Sequence, residues 1–317
     1  MDLHYWKSPE GNFGDDLNEF LWDALLPGWR DWDAGTTLVG VGTILNATHF
    51  PVTRPGRFLV LGSGVGNGPP PDISDPARWD IRSLRGPRSA RALNLPESVG
   101  VIDPAIMLSD LPEFTGHTRD ARPIFIPHIS SLGHFDWDAI CARAGIDFVS
   151  PCGEASAVIT RIAKAPLVLA ESMHAAIIAD TLRTPWIGVR VSAKFDAAKW
   201  QDWADSLGIA LQVHPLFPLI AKLSDRFSKA RKRPHGAAPA AAARSGGQPG
   251  PQGQPHAKPV MSRKRQLRLA TENRLAAPAL RRIMRAPSQL SDAARLEQSK
   301  ARYRDILDGV RRDYSGG

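Results

Sequence analysis

A histidine in the first turn of a predicted helix is the group in this sequence that is best placed for chemistry. Leu167–Ala170 has the composition of a buried strand, Glu171 and Ser172 form a turn, and Met173–Leu182 has the composition of a helix. His174 therefore lies at the carboxyl end of a strand, where free backbone amides and the helix dipole attract anions. An imidazole with a reference pKa of about 6.5 can exchange protons there near neutral pH. A structural histidine is the alternative interpretation.

An acidic turn follows the first predicted strand. Residues 11–16 have the sequence GNFGDD, in which two glycines allow a tight strand-to-helix turn. Asp15 and Asp16 suit the first turn of a helix, and capping alone can explain them. At the carboxyl end of a parallel strand, where α/β sheets bind ligands, a carboxylate can also bind or deprotonate a sugar hydroxyl.

A glycine-rich segment follows a later predicted strand. Residues 62–68 have the sequence GSGVGNG, whose backbone amides can approach an anion closely, so Gly62 and Gly64 are candidate binding residues. Asn67 stands where a dinucleotide-binding fingerprint has its third glycine, and three prolines follow at once. The sequence therefore disfavours a Rossmann dinucleotide cofactor.

Two arginines flank a predicted helix start. Pro87 suits the first turn of a helix, with Arg85 just before it and Arg88 just after it. An arginine in this position can hold a phosphate or carboxylate through two parallel hydrogen bonds. Without other context, a surface salt bridge is the favoured interpretation of these side chains.

Short strands and helices alternate over residues 1–225, a pattern typical of βα units and a parallel sheet. The predicted strands are Leu3–Trp6, Thr37–Val41, Phe58–Leu61, Val99–Ile102, Ile124–Ile126, Asp147–Val149, Leu167–Ala170 and Trp186–Val189. The predicted helices are Leu17–Leu25, Pro87–Leu93, Trp137–Ala144, Glu154–Lys164, Met173–Leu182 and Ala197–Leu207. We predict an α/β fold with two Rossmann-like halves, residues 1–115 and 116–225, that face each other across a cleft.

The net charge of +8 is unevenly distributed along the chain. From Arg226 to Gly317 there are 21 basic and 6 acidic residues, a balance of +15. Residues 1–225 carry 19 basic and 26 acidic residues, a balance of −7. An anionic substrate bound in this acidic part must be held by locally placed cations.

The C-terminal third of the sequence differs in composition from the rest. Residues 226–260 are rich in Pro, Gly, Ala and Gln and predict a flexible linker. Residues 261–317 place leucines among many arginines and predict a basic amphipathic helical tail, interrupted at Pro278 and Pro287. Such a tail fits peripheral contact with an anionic membrane. Its few aromatic residues make nucleic-acid binding unexpected, and a solvated, disordered tail is an equal alternative.

Several classes of protein are disfavoured. No stretch approaches the roughly 18 apolar residues of a transmembrane helix, and the N-terminus lacks the pattern of a signal peptide. Cys141 and Cys152 form neither a disulfide framework nor a metal-ligand spacing. We therefore expect a cytoplasmic protein without a bound metal.

The order of these motifs resembles that of the polysaccharide pyruvyltransferase family. It runs from Gly-Asn-x-Gly-Asp through Arg-Gly-Pro-x-Ser and Val-x-Asp-Pro-Ala to a histidine shortly before Ala-Asp-x-x-x-x-Pro, over about residues 10–190. The resemblance implies two Rossmann-like domains in the arrangement of GT-B glycosyltransferases. It also implies phosphoenolpyruvate as donor, without a further cofactor, and a saccharide acceptor, lipid-linked or polymeric, that receives a pyruvate ketal in exopolysaccharide biosynthesis.

The resemblance also implies roles for individual residues. His174 matches the family histidine, expected to transfer a proton, and Arg85 matches the arginine expected to hold the donor's phosphate or carboxylate. Asp16 is expected to activate a hydroxyl, with Asn12 and Asp15 binding substrate beside it.

One position departs from the family pattern. Many members carry arginine where this chain has Ser172, which leaves that part of the expected binding site without its cation. A second cation must then come from elsewhere, and Arg88, Arg190 and Lys194 are the candidates.

Two other functions fit parts of the sequence. A nucleotide-sugar glycosyltransferase would share the predicted architecture and the acidic and glycine-rich loops. A protein that binds membranes or nucleic acid through its basic tail would need none of the motifs at residues 10–190.

Overall fold

The chain folds around two parallel β-sheets, as a computed structural model that describes residues 1–192, 195–217 and 274–316 shows. The strands of the first sheet are β1 (Asp2–His4), β2 (Thr36–Val39), β3 (Arg57–Leu61) and β4 (Trp79–Ser83), in that spatial order. All three strand pairs are parallel. The interior strands β2 and β3 are almost entirely buried, as expected for a parallel sheet covered on both faces.

The second sheet has five parallel strands. They are β5 (Ile124–Ile126), β6 (Asp147–Phe148), β7 (Val168–Ala170), β8 (Trp186–Arg190) and β9 (Val213–Pro215), in the order β6-β5-β7-β8-β9. The chain leaves β5 toward one edge of the sheet and leaves β7 toward the other. The two strands therefore border a topological switch point, where α/β sheets bind their ligands at the carboxyl ends of the strands.

Nine helices accompany the sheets within the described residues. They are α1 (Phe13–Asp16), α2 (Asn18–Leu25), α3 (Pro87–Ala92), α4 (Trp137–Ala144), α5 (Ala155–Lys164), α6 (Met173–Thr181), α7 (Ala197–Leu207), α8 (residues 274–283) and α9 (Ala293–Tyr314). Helix α7 begins at Asp196, whose carboxylate accepts hydrogen bonds from the backbone amides of Ala198 and Lys199. Gly208 ends it in the left-handed conformation, at φ 64°.

Helix α6 is buried on all sides, from Met173 through Thr181. Its alanines leave room for close packing against β7 and against a 3-10 helix, Pro104–Asp110, which follows the first sheet. This contact joins the two halves of the chain. It also brings the start of α6 beside Asp103, the residue that caps the 3-10 helix.

The predicted α/β fold is confirmed, and the predicted helices lie within one residue of their observed bounds. The strand predicted at Val99–Ile102 is wrong. The chain forms a 3-10 turn at Glu97–Val99 and a single isolated bridge from Gly100 to Leu84, because Pro104 begins the next turn too soon for a strand. The prediction also missed β4 and β9.

One apolar cluster crosses from the first sheet to the second. It contains Trp22 and Trp29 beside the first sheet and Trp186 and Trp203 beside the second, each at most 1% exposed. The division into domains at residue 115 stays a prediction, and this shared core shows that the two halves are packed against each other.

The described part of the predicted tail, residues 274–316, is helical and packs on the body of the protein. Leu280 and Ile283 of α8 belong to one apolar cluster, and Tyr303 and Leu307 of α9 belong to the cluster that joins the sheets. These apolar side chains pack against the rest of the protein, so they are not available to contact a membrane. The predicted break at Pro278 is wrong, since α8 runs through it, whereas the break at Pro287 is confirmed.

Ion pairs connect α9 with the body of the protein. Lys300 and Arg304 both bind Asp110, at 2.7 Å each, and Arg82 binds Asp313 at 2.6 Å. At Lys300 and Arg304, the positive charge of the C-terminal segment therefore binds negative charge in the acidic part of the same chain. The predicted linker at residues 226–260 and the first part of the predicted tail, residues 261–273, lie outside the described residues. In the part of the chain that the structure describes, no helix is long and apolar enough to cross a membrane.

Candidate functional site

A cavity of about 280 Å³ lies at the carboxyl ends of strands from both sheets. From the first sheet, its wall includes Trp6, Asn12 and Asp15, which follow β1, and Asn67, which follows β3. Tryptophan and asparagine side chains beside a carboxylate provide both an apolar face and hydrogen-bonding groups. This composition suits a polar organic ligand such as a sugar.

The second sheet supplies the opposite wall. His128 follows β5, Glu171 and Met173 follow β7, and Ser192 follows β8. The loops after β5 and β7 meet at the switch point of the sheet order, so the cavity occupies the place where the topology predicts a ligand. Helix α7 closes the cavity with Asp196, Lys199 and Trp200, after Phe195.

Glu171 holds three of these loops together. Its carboxylate accepts hydrogen bonds from the backbone amide of His128 at 3.0 Å, from the Ser131 hydroxyl at 3.0 Å and from the backbone amide of Val191 at 3.3 Å. The side chain therefore ties the ends of β5, β7 and β8 to one another. Burial raises the pKa of Glu171 to about 7, although these hydrogen bonds favour its ionised form.

His174 and Asp103 form a buried pair next to the cavity. His174 follows the lining residue Met173, and its Nε2 lies 3.9 Å from Asp103 Oδ2, too far for a hydrogen bond. The second oxygen, Asp103 Oδ1, accepts a hydrogen bond from the Ala105 amide at 3.0 Å. Within the described residues, Asp103 Oδ2 and His174 Nε2 are buried without a hydrogen-bond partner. Burying such atoms unpaired costs free energy, so the pair is a candidate for a functional position.

Two motif glycines make room for charged side chains. A Cβ on Gly14 would lie 2.0 Å from Nδ1 of His174, and a Cβ on Gly64 would lie 2.2 Å from Cζ of Arg85. Neither position can hold a larger residue without displacing a side chain of the site. The acidic motif and the histidine motif are therefore one interlocked unit, as are the glycine-rich segment and Arg85.

The surroundings of Asp15, Asp103 and His174 shift the pKa of each side chain in the direction that favours its neutral form. Burial raises the pKa of Asp15 to about 6 and that of Asp103 to about 6. Burial lowers the pKa of His174 well below its usual value, and the nearby cations Lys199 and Arg85 lower it further. At neutral pH, without a ligand, the imidazole is neutral. A bound anion would reverse the effect of the two cations and raise the pKa of His174.

Arg85 is fully buried and is held by the protein. Its Nε and Nη2 donate to Asp202 Oδ2 at 3.2 and 3.1 Å, and its Nη1 donates to the Thr43 hydroxyl at 2.5 Å. Asp202 also accepts hydrogen bonds from the backbone amide and the hydroxyl of Ser89. This network fixes α7, which carries Asp202, to the first turn of α3.

The structure places the predicted acidic residues in different settings. Asn12 and Asp15 line the cavity, and the Asn12 side-chain amide donates to Asp15. Asp16 instead accepts a hydrogen bond from the Asn12 backbone amide at 2.7 Å, which is the capping role.

The backbone amides of Gly62 and Gly64 are already used. They donate to the carbonyl oxygens of Ser83 at 2.8 Å and Gly42 at 2.9 Å. These hydrogen bonds correct the expectation that the two amides are available to an anion, because the segment continues the pairing of the sheet. Its contribution to the site is the space that Gly64 leaves for Arg85.

The remaining predicted residues lie around the site rather than together in it. Ser172 is the buried N-cap of α6, without a capping hydrogen bond from its side chain. Arg88 forms an ion pair with Asp205 at 2.6 Å on the surface. Arg190 ends β8 and is half-buried with a partner of its own. Lys194 lies outside the described residues.

Sequence reasoning did not assign four groups that the structure brings to the site: Asp103, Lys199, Glu171 and Trp6. Asp103 carried a signal, since it stands in the Val-x-Asp-Pro-Ala motif. Lys199 carried none, because its position depends on how α7 crosses between the halves. No group of three or more His, Cys, Asp or Glu side chains within the described ranges can hold a metal ion.

The chain is similar to a known protein family and to a known protein. The model of the family described as polysaccharide pyruvyl transferase matches residues 23–192, which include His174, Asp103 and Arg85 but not the acidic motif at residues 11–16. The succinoglycan biosynthesis protein ExoV of Rhizobium meliloti (strain 1021) is 42% identical over 325 residues, which cover 99% of this chain and 100% of ExoV. The similarity to ExoV therefore includes the C-terminal helices as well as the site.

Proposed function

The chain belongs to the polysaccharide pyruvyl transferase family, and from this premise we propose that it transfers pyruvate from phosphoenolpyruvate to a sugar of an exopolysaccharide or its lipid-linked precursor, forming a cyclic ketal. The observation that carries the proposal is the buried pair of His174 and Asp103, with unpartnered polar atoms beside a cavity that both sheets line. We further propose that the two sheets are the Rossmann-like halves of a GT-B-like arrangement.

The proposed reaction joins two acceptor hydroxyls to one donor carbon. The methylene carbon of phosphoenolpyruvate takes up a proton and becomes a methyl group, and the bond from C2 to the phosphate oxygen breaks. Two C2–O bonds form to the sugar. Of the two hydroxyl protons that the acceptor loses, one balances the proton on the methyl carbon and the other leaves on inorganic phosphate.

His174 is the proton-transferring group in this proposal. Its imidazole is neutral in the ligand-free protein, because burial and two neighbouring cations lower its pKa. A bound phosphoenolpyruvate would bring several negative charges and raise that pKa, so the imidazole would gain a proton when the donor is in place. The carboxylate of Asp103, whose Oδ2 lies 3.9 Å from Nε2, would stabilise the protonated ring. This order of events confines the acidic form of His174 to the donor-bound enzyme.

Asp15 replaces Asp16 as the proposed hydroxyl-activating base. Asp15 lines the cavity, whereas Asp16 caps its own turn. Burial raises the pKa of Asp15 to about 6, close enough to neutrality for a carboxylate to accept a proton in the transition state. Asn12 holds the Asp15 carboxylate toward the cavity through its side-chain amide.

Arg85 contributes a fixed positive charge in this proposal. Its N–H groups bind Asp202 and Thr43, and its charge lowers the pKa of His174. The guanidinium therefore acts on the donor from a position that the protein defines before the donor binds, which is how preorganised charges stabilise anionic transition states.

Donor-dependent stabilisation and turnover test this function. Phosphoenolpyruvate is expected to raise the melting temperature, whereas nucleotide-sugars are not. With a pyruvate-free exopolysaccharide oligosaccharide as acceptor, His174→Ala should lower phosphate release by about 10²–10⁴-fold while the protein keeps its fold. Near-normal turnover of His174→Ala would contradict the assignment. Stabilisation by a nucleotide-sugar alone would instead favour a glycosyltransferase.

A further inference from the structure

The cavity wall contains a lysine, Lys199, that can hold an anionic donor. A role for Lys199 in holding the donor rests on the proposed function of this site. Phosphoenolpyruvate carries a phosphate and a carboxylate, and a site for it needs cations close to both. Ser172 is a buried helix cap that carries no charge.

Two of the cations that the sequence nominated are committed elsewhere. Arg88 lies on the surface and binds Asp205 at 2.6 Å. Arg190 has a partner of its own at the end of β8. Neither of them lines the cavity, whereas Lys199 does.

Lys199 occupies the first turns of α7, one helical turn before Asp202. Asp202 is fixed to Arg85 and Ser89, so the backbone that carries Lys199 is held in place. The lysine side chain is partly buried in the cavity wall beside Trp200. Among the described residues, its ammonium group forms no ion pair.

The ammonium of Lys199 lies within electrostatic reach of Asp15, Asp103 and His174, and of Arg85. It opposes the rise in the pKa of Asp15 and in that of Asp103, and it contributes to the lowered pKa of His174. Burial and the neighbouring Arg85 lower the pKa of Lys199 itself. A bound dianion would offset both effects, so the lysine and a phosphate would each favour the charged form of the other.

We propose that Lys199 binds the phosphate group of the donor. An ammonium on a flexible stem is a compact point charge that can follow a phosphate as its bond to C2 breaks. Because Arg85 is held by Asp202 and Thr43, Lys199 is the cation in the cavity wall that can move with the leaving group.

The test compares Lys199→Met with Lys164→Met. Lys164 ends α5, which leads into the start of β7, so it lies at the end of the second sheet opposite the cavity. Phosphoenolpyruvate, inorganic phosphate and pyruvate are each titrated into the wild-type protein and both variants by calorimetry. Lys199→Met is expected to weaken binding of phosphoenolpyruvate and of inorganic phosphate by about 10- to 100-fold. Pyruvate binding should stay within about 3-fold, and Lys164→Met should match the wild type throughout.

A second variant separates binding from folding. Lys199→Arg keeps the charge, so it should recover most of the phosphate affinity, and the KM for phosphoenolpyruvate should follow the same order while the KM for the acceptor stays unchanged. Phosphate affinity in Lys199→Met equal to that of the wild type would overturn the inference. A selective loss of pyruvate binding would also overturn it, because it would place the lysine on the carboxylate. If the wild type itself does not bind phosphoenolpyruvate, the proposed function fails and this inference fails with it.

Discussion

Buried polar groups have hydrogen-bond or ion-pair partners in the C-terminal segment, residues 274–316, whereas two of those in the site lack them. In the C-terminal segment, Lys300 binds Asp110 and the Tyr303 hydroxyl donates to the carbonyl of Leu61. In the site, Asp103 Oδ2 and His174 Nε2 lie buried without partners among the described residues. Paired polar groups fasten one part of the chain to another, and unpaired ones leave capacity for a substrate.

The two regions also differ in how they use positive charge. Lys300 and Arg304 of α9 both bind the carboxylate of Asp110, and Arg311 binds Asp308 of the same helix, so part of the positive charge of α9 is cancelled within the chain. Lys199 faces the cavity near His174 and Arg85, where like charges disfavour one another until an anion arrives. The region with the more basic sequence therefore packs on the body of the protein, and the less basic region is the one for which we propose anion binding.

Removing α9 should destabilise the protein more than any of the single substitutions described below. Truncation after Asp292 would uncover the surfaces against which Leu296, Tyr303, Leu307 and Val310 pack. Each such side chain contributes about 1.5–3 kcal/mol when buried, so the loss is comparable to the whole stability of an ordinary domain. We expect a protein that is unfolded or insoluble, as judged by circular dichroism and gel filtration.

Two substitutions of Tyr303 test the packing of α9 without removing the helix. Tyr303→Ala should cost about 3–5 kcal/mol in urea unfolding, because the ring is fully buried. Tyr303→Phe should cost about 1 kcal/mol, because it removes the hydrogen bond to Leu61 alone. A truncated protein that keeps native stability and turnover would show that the segment is an accessory tail after all.

The sequence predicted local features better than long-range ones. The helix bounds and the strand–histidine–helix arrangement at His174 follow from composition and periodicity over a few residues, and the structure has them. The docking of α9 could not be predicted, because it pairs Tyr303 with Leu61 across 242 positions. β4 was missed because Asp80 and Arg82 interrupt its apolar pattern. Both side chains are matched by α9, through Tyr314 and Asp313.

The same limit applies to the site. The sequence nominated His174 and Asp15 through local motifs, but Lys199 reaches them through the path of α7 between the two halves. Arg85 was nominated as a ligand-binding side chain from its local setting. The structure shows it paired with a carboxylate 117 positions away.

Breaking that pair should have the next largest effect. Asp202→Asn leaves the Arg85 guanidinium buried without its counter-charge, which we expect to cost about 3–5 kcal/mol in urea unfolding. Asp205→Asn, on the next turn of α7, removes the partner of the surface residue Arg88 and should cost less than about 1 kcal/mol. A larger cost for Asp202→Asn would show that Arg85, in the site, depends on a buried ion pair as Lys300 of α9 does. Equal costs for the two variants would contradict this.

The smallest expected effect is that of Asp103→Asn. It tests whether the unpaired carboxyl group of Asp103 lowers the stability of the folded protein. Burial raises the pKa of Asp103 from 3.8 to about 6, so between these values the folded protein keeps a proton that the unfolded chain has lost. Relative to an uncharged residue, Asp103 therefore lowers stability progressively from about pH 4 to about pH 6, and the cost is constant above that. Asp103→Asn should be about 2–3 kcal/mol more stable than the wild type at pH 8 and nearly equal to it at pH 4. Urea unfolding at each pH measures this difference.

Tyr303→Phe, in the C-terminal segment, is the control, and its difference from the wild type should not depend on pH. A flat profile for Asp103→Asn would mean that this carboxyl is as well compensated as the groups of α9, and the contrast between the two regions would not hold.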